Sequence, residues 1–165
     1  MKFQETFDFD YPAAVILRMF GDKDYYLAKY REMGGEAPEV LDTKAEDDKF
    51  SITVRHALDA TRLKFPDFIK SRMGDQLFLR QTDAWQLNQA RGRIHTDIEK
   101  APVEIVADMH LADTSGGSRL TMDFHIEASV PLIGGKVEKA VAGPITRHTQ
   151  KDLQLTNRMA ADYTD

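Results

Sequence analysis

Six polar side chains interrupt apolar patterns in this sequence, and they are its best candidates for chemistry. His56 falls among Ile52, Val54 and Leu58, Gln81 and Asp83 lie between Leu79 and Trp85, and Thr96 lies between Ile94 and Ile98. His148 and Asp152 stand at i and i+4 of a segment with helical periodicity, a spacing at which side chains meet. A histidine beside a carboxylate orients a ligand or moves a proton as general acid and base. His56 with Asp83 is one such pair, and His148 with Asp152 is the other. A hairpin centred on the 63–74 connection would set His56 near Gln81 and diagonal to Asp83. An ionised Asp83 without a partner in a dry core is costly, so burial demands a partner, a raised pKa or water. The plainer alternatives are a structural hydrogen bond, a bulge that turns Asp83 to solvent, and a kink at Pro144 that rotates His148 and Asp152 toward water.

Several other chemistries are excluded or unsupported. With no cysteine, the chain has no disulfide framework, thiolate nucleophile or Cys-ligated metal. His95, His110 and His125 fall on the polar sides of their strands and no HExxH occurs, so neither a metal nor any other cofactor is expected. The run VPLIGGKV fails the phosphate-loop pattern GxxxxGK[ST], because it begins at Val130 and Val137 follows Lys136. Ser115 and Ser118 sit in a turn without a nucleophile-elbow sequence. A net charge of -5 argues against nonspecific nucleic-acid binding, which needs clustered Lys and Arg.

At 165 residues, 42% hydrophobic and 30% charged, the chain suits one core, and a single domain over 1–165 is expected. No window approaches the ~18 apolar residues of a membrane helix, and the opening MKFQE does not begin a signal peptide, so a cytoplasmic location is expected. Phe3, Phe7 and Phe9 alternate in a strand over 2–10, and two short helices follow, over 13–20 and through Tyr25, Tyr26, Leu27 and Tyr30 to Gly34. Beyond Pro38 period-2 patterns predict six more strands, the weakest over 40–45, with hairpins at Ala90-Arg91-Gly92 and at 114–117. The 63–74 connection, with Pro66, Phe68, Ile69 and Met73, reads as a surface connection plugging one end of the core or as a mobile flap.

The last segment predicts a long helix. One side carries Val137, Val141, Ile145, His148, Asp152, Leu155, Met159 and Tyr163, and should face the sheet. Another gathers Lys136, Lys139, Arg147, Lys151 and Arg158; it reads first as a solvated face, with peripheral contact to anionic headgroups or an acidic partner as the sharper alternative. Gly134-Gly135 is expected to supply backbone angles that a side chain would obstruct, and Pro144 to bend or restart the helix. Ala140, Ala142 and Gly143 supply little volume, so a cavity is expected between sheet and helix unless Trp85, Met122 and Phe124 fill it.

A strand, two short helices, six antiparallel strands and a long helix resemble the helix-grip fold of the START-like (SRPBCC) superfamily. That fold is α+β: a seven-stranded curved antiparallel sheet (β-α-α-β6-α) wrapped around the C-terminal helix. The stretch VPLIGGKVE at 130–138, the opening KFQETFDFDYPAAVI and the single Trp85 resemble an uncharacterised bacterial branch, domain of unknown function 2505. The superfamily includes the birch pollen allergen, lipid-transfer domains and polyketide cyclases. The resemblance implies a cavity between sheet and helix and supplies no catalytic residue. The leading expectation is a carrier of a small apolar or amphipathic molecule, lipid or polyketide-like. Trp85, Met109, Met122, Phe124, Val141, Pro144 and Ile145 would give it contact area, and His56, Gln81, Asp83, Thr96 and His148 polar anchors. The alternatives are a cyclase, dehydratase or hydrolase using a His-carboxylate pair, and a co-chaperone-like interaction module.

Overall fold

The computed structural model describes residues 1–34, 38–59, 67, 70, 71, 74 and 76–164. The expected flap or plug at 63–74 therefore lies mostly outside the described residues. The strands are β1 (Lys2–Phe9), β2 (Glu39–Glu46), β3 (Lys49–Asp59), β4 (Gln76–Gln86), β5 (Arg91–Ile98), β6 (Val103–Thr114) and β7 (Gly117–Ala128). They form one antiparallel sheet in the order β1-β7-β6-β5-β4-β3-β2. Among the described residues, helices α1 (Ala13–Phe20) and α2 (Lys23–Gly34) follow β1, and α3 (Gly134–Met159), extended by a 3-10 turn, Ala160–Tyr163, follows β7. This is the α+β helix-grip arrangement.

Alternation decides which face of the sheet is covered. Along β6, Val103, Ile105, Ala107, Met109 and Leu111 are buried, and across the pairing they meet Ala128, Ile126, Phe124, Met122 and Leu120 of β7. The outer face carries the charges, among them the fork pairs of Arg119 with Asp8, Arg93 with Asp108 and Arg55 with Glu99. At the 87–90 corner the left-handed residue is Ala90 (φ 52) and not Gly92, which lies within β5. Gly92 has a different reason to be glycine. A Cβ there would sit 2.6 Å from the ring of its cross-strand neighbour Trp85.

The helices pack on the inner face. α1 buries Ala13, Val15, Ile16, Met19 and Phe20, and its first N–H is capped from across the fold by Asp113 Oδ1 at 2.8 Å. α2 turns Tyr25, Tyr26, Lys29 and Tyr30 inward, four positions that one helical face brings together. α3 is about 39 Å long by its 26 residues. Its far end is tied down by Tyr163 Oη to Asp22 at 2.5 Å and by a reciprocal Asp10–Asn157 pair at 2.9 and 2.8 Å.

Two expectations for α3 change. The left-handed angle at the strand-to-helix turn is carried by Leu132 (φ 70), while Gly134 is needed because a Cβ would stand 2.7 Å from the Ala128 carbonyl oxygen. Pro144 is buried within an unbroken helix and does not restart it. The inward side accordingly includes Pro144, Leu153 and Thr156 beside Val137, Val141 and Leu155, whereas Met159 and Tyr163 are half-buried.

Candidate functional site

Between the middle of α3 and the inner face of the sheet lies a cavity of about 80 Å³. Leu79, Ile94, Ile105, Ala107, Met109, Leu120, Met122 and Phe124 form its floor, Phe20, Tyr25 and Tyr26 close one side, and Ile145, His148, Thr149, Asp152 and Leu153 of α3 lie over it. That room takes a few waters, against ~300–1,000 Å³ for the pocket of a drug-sized ligand. The vacancy expected beneath α3 exists, but aromatic side chains of α1 and α2 occupy much of it. Phe20 stacks on Trp85 at 4.8 Å, and Tyr26 on Phe50 at 5.9 Å.

The centre of the polar wall is Lys29, a residue the polarity pattern did not single out. It is 4% exposed, its ammonium lies 3.3 Å from Asp152 Oδ2 and 3.4 Å from Oδ1, and it stands over the rings of Tyr25, Tyr26 and Tyr30 at 5.2, 5.4 and 4.8 Å. Burial works against the charged ammonium. The Asp152 carboxylate, with Tyr25, Tyr30 and Asp83, outweighs that cost and holds the Lys29 pKa well above its ordinary value. Lys29 is therefore a fixed cation and not a nucleophilic amine. Thr156 Oγ1 donates to the Asp152 carbonyl at 2.9 Å, which leaves Tyr25 as the donor to Thr156 at 2.7 Å. Burial pushes the Tyr25 phenol up to about 12.

Asp83 is buried in the cavity wall and stays inward without a bulge. Desolvation raises its pKa, partly offset by Lys29 and by the Gln81 amide, which donates to Oδ1 at 3.0 Å. His56 sits opposite Leu79, diagonal to Gln81 and two positions further from Asp83 than expected. It stacks on Tyr30 at 4.1 Å, and neither ring nitrogen has a hydrogen-bond partner. Burial, with repulsion from Lys29 and His148, lowers its pKa from 6.5 to about 4, so the ring is neutral. The His148 pKa is lowered too, mainly by desolvation. Tyr30 Oη and Trp85 Nε1 are also buried without a partner.

Of the residues expected at a ligand site, Gln81, Asp83, Trp85, Thr96, Met109, Met122, Phe124, Ile145 and His148 line the cavity. Val141 and Pro144 are buried elsewhere under α3, and His56 lies behind the wall beside Tyr30. Neither His-carboxylate pair is hydrogen-bonded: Asp83 is held by Gln81, and Asp152 by Lys29 and Thr156. Among the residues missed are Tyr25, Tyr26 and Lys29 of the cavity lining, and Tyr30, whose ring the Lys29 ammonium covers. Their spacing of i, i+1, i+4 and i+5 was the available signal, since it places a lysine on an aromatic helix face.

Comparison with known proteins gives the family. A family model described as a protein of unknown function, DUF2505, matches residues 4–159. The chain belongs to the DUF2505 family. Its fold is that of the START-like, or SRPBCC, superfamily. An uncharacterized protein of Mycobacterium tuberculosis is 23% identical over 165 residues, covering 94% of each chain. Among solved structures, a START superfamily protein from Mycobacterium smegmatis aligns with a TM-score of 0.59 at 15% identity over 96% of this chain and 97% of that one. An aromatase/cyclase from Streptomyces sp. R1128 aligns at 0.62 and 11% identity, over 98% and 93%. At such identities the family shares a fold with these structures, and the site must speak for itself. No helix among the described residues is long and apolar enough to cross a membrane.

Proposed function

We propose that this protein binds and carries a small hydrophobic or amphipathic molecule between the sheet and α3, with its polar end toward Lys29, Asp83, Thr96 and Asp152. The observation that carries the reading is the partly enclosed, mainly apolar cavity with an ion pair and a carboxyl group in its wall. A buried pair is a poor device for stability, because desolvating both charges offsets their attraction, whereas a ligand's polar end benefits from charges fixed in advance. The cavity must widen to take a guest larger than a few heavy atoms, and Met109 and Met122 have the side-chain freedom for this. Asp83 is held by Gln81 and Asp152 by Lys29 and Thr156, so no histidine-carboxylate hydrogen bond supports the enzymatic alternative, and carriage is the better-supported reading.

Trp85 makes the test direct, being the chain's single tryptophan and part of the cavity wall. Gently purified protein is examined by native mass spectrometry, then titrated with fatty acids and aromatic polyketides while Trp85 fluorescence and melting temperature are followed. A co-purifying small molecule, or saturable change in Trp85 emission together with thermal stabilisation, is expected. An empty protein that no apolar compound quenches or stabilises would refute the reading.

A further inference from the structure

Every exposed charge on α3 is basic. Successive residues turn by about 100°, so Lys136, Lys139, Arg147, Lys151 and Arg158 fall within an arc of about 120°. All five are exposed, and they share the arc with the uncharged Gly143, Gln150 and Gln154. The helix's acids are turned away: Glu138 meets the Ala128 N–H and the amino group of Met1, and Asp152 holds Lys29. This one-sign row belongs to a chain of net charge -5. Mixed exposed charges would suffice for solubility, as on α2, where exposed Lys23 and Arg31 alternate with Asp24 and Glu32.

An independent feature stands at the N-terminal end of the row. Leu132 is 105% exposed and Ile133 39%, two of the four large hydrophobic side chains exposed among the described residues. Leu132 also holds a φ of 70, a region where glycine is at ease and leucine is strained. The chain therefore keeps a costly backbone angle under an apolar side chain that is fully exposed to solvent. We propose that the outer face of α3 and the Leu132–Ile133 tip form a docking surface for an anionic lipid bilayer. Headgroup phosphates would meet the basic row while the tip enters the acyl boundary. Nucleic acid would satisfy the row but gives no reason for a protruding leucine, and an acidic protein would need a pocket shaped to that one side chain, which a fluid acyl boundary does not.

Co-sedimentation of the full chain with vesicles tests this independently of the cavity's occupant. Binding is expected to vesicles of phosphatidylcholine mixed with phosphatidylglycerol, not to phosphatidylcholine alone, and to weaken in about 1 M salt, where charges are screened beyond about 3 Å. Leu132→Gly relieves the backbone angle, so the fold is kept or stabilised while vesicle affinity falls about 10-fold. The triple variant Lys139→Glu, Arg147→Glu, Lys151→Glu lowers it by at least about 100-fold. Circular dichroism and thermal melting confirm that each variant is folded. Failure to sediment with anionic vesicles, full affinity in Leu132→Gly, or tighter binding to a DNA duplex than to vesicles would each overturn the proposal.

Discussion

The two faces of the sheet handle charge in opposite ways. Outside, Arg93 and Asp108 meet through two hydrogen bonds at 2.7 and 3.2 Å while 63% and 57% of their side-chain surface stays in water. Inside, Lys29 and Asp152 meet at 3.3 Å with 5% and 18% exposed, among partnerless Tyr30, His56 and Trp85 atoms. The better geometry is on the face where it matters less. Solvent already stabilises the outer charges and screens their attraction, whereas each inner group depends on whatever the fold supplies. Incomplete satisfaction inside marks where a guest would have something to contribute.

The contrast breaks most visibly if one partner of the inner pair is removed. Asp152→Ala strands the Lys29 ammonium and is expected to cost about 3–5 kcal/mol in urea unfolding. Replacing both, as Lys29→Met with Asp152→Leu, should recover most of that loss, because two apolar groups need no partner. A cost for Asp152→Ala no larger than that of an exposed pair would erase the distinction between the faces.

Next in size is the response to acid. His56 is held neutral, with a folded pKa of about 4 against an ordinary 6.5. Between those values the unfolded chain binds the extra proton, so stability is full above about 6.5 and falls with pH down to about 4, by up to about 3 kcal/mol. His148, also lowered, adds in the same sense. Asp83 opposes them: its raised pKa favours folding at low pH, a contribution lost as pH rises through its folded value. Melting curves across this window in an Asp83→Asn background isolate the histidines, and adding His56→Leu should flatten the slope. An unchanged slope would mean that His56 is hydrated. Smaller again is Gly92→Ala, whose Cβ would meet the Trp85 ring at 2.6 Å. A rigid indole cannot yield as a long side chain would, so a loss of about 1–3 kcal/mol and altered Trp85 emission are expected.

The sheet was legible because alternation is local: the pattern of β6 against β7 is written in consecutive residues, from Val103 opposite Ala128 to Leu111 opposite Leu120. The cavity floor followed from the same pattern, which placed Trp85, Met109, Met122 and Phe124 on one surface. Lys29 was not legible by that rule. A lysine beside tyrosines reads as a surface residue until Asp152, 123 positions away, is brought to it. The Gly134 turn failed for a related reason, since glycine's two uses look alike in sequence. A free backbone angle is a local property, but clearance for the Ala128 carbonyl depends on how α3 returns to the sheet.

The smallest expected effect tests the outer face itself. Arg93→Ala removes the fork that Asp108 accepts, leaving a carboxylate that water can solvate at once. A change below about 1 kcal/mol is expected, further reduced by salt, because the pair's attraction is screened and two long side chains regain freedom when it breaks. A larger loss would show that the outer pairs hold the strands in register, and the sheet would then depend on both faces. A negligible loss leaves strand register to alternation and the inner contacts, with the exposed arginines contributing mainly to solubility.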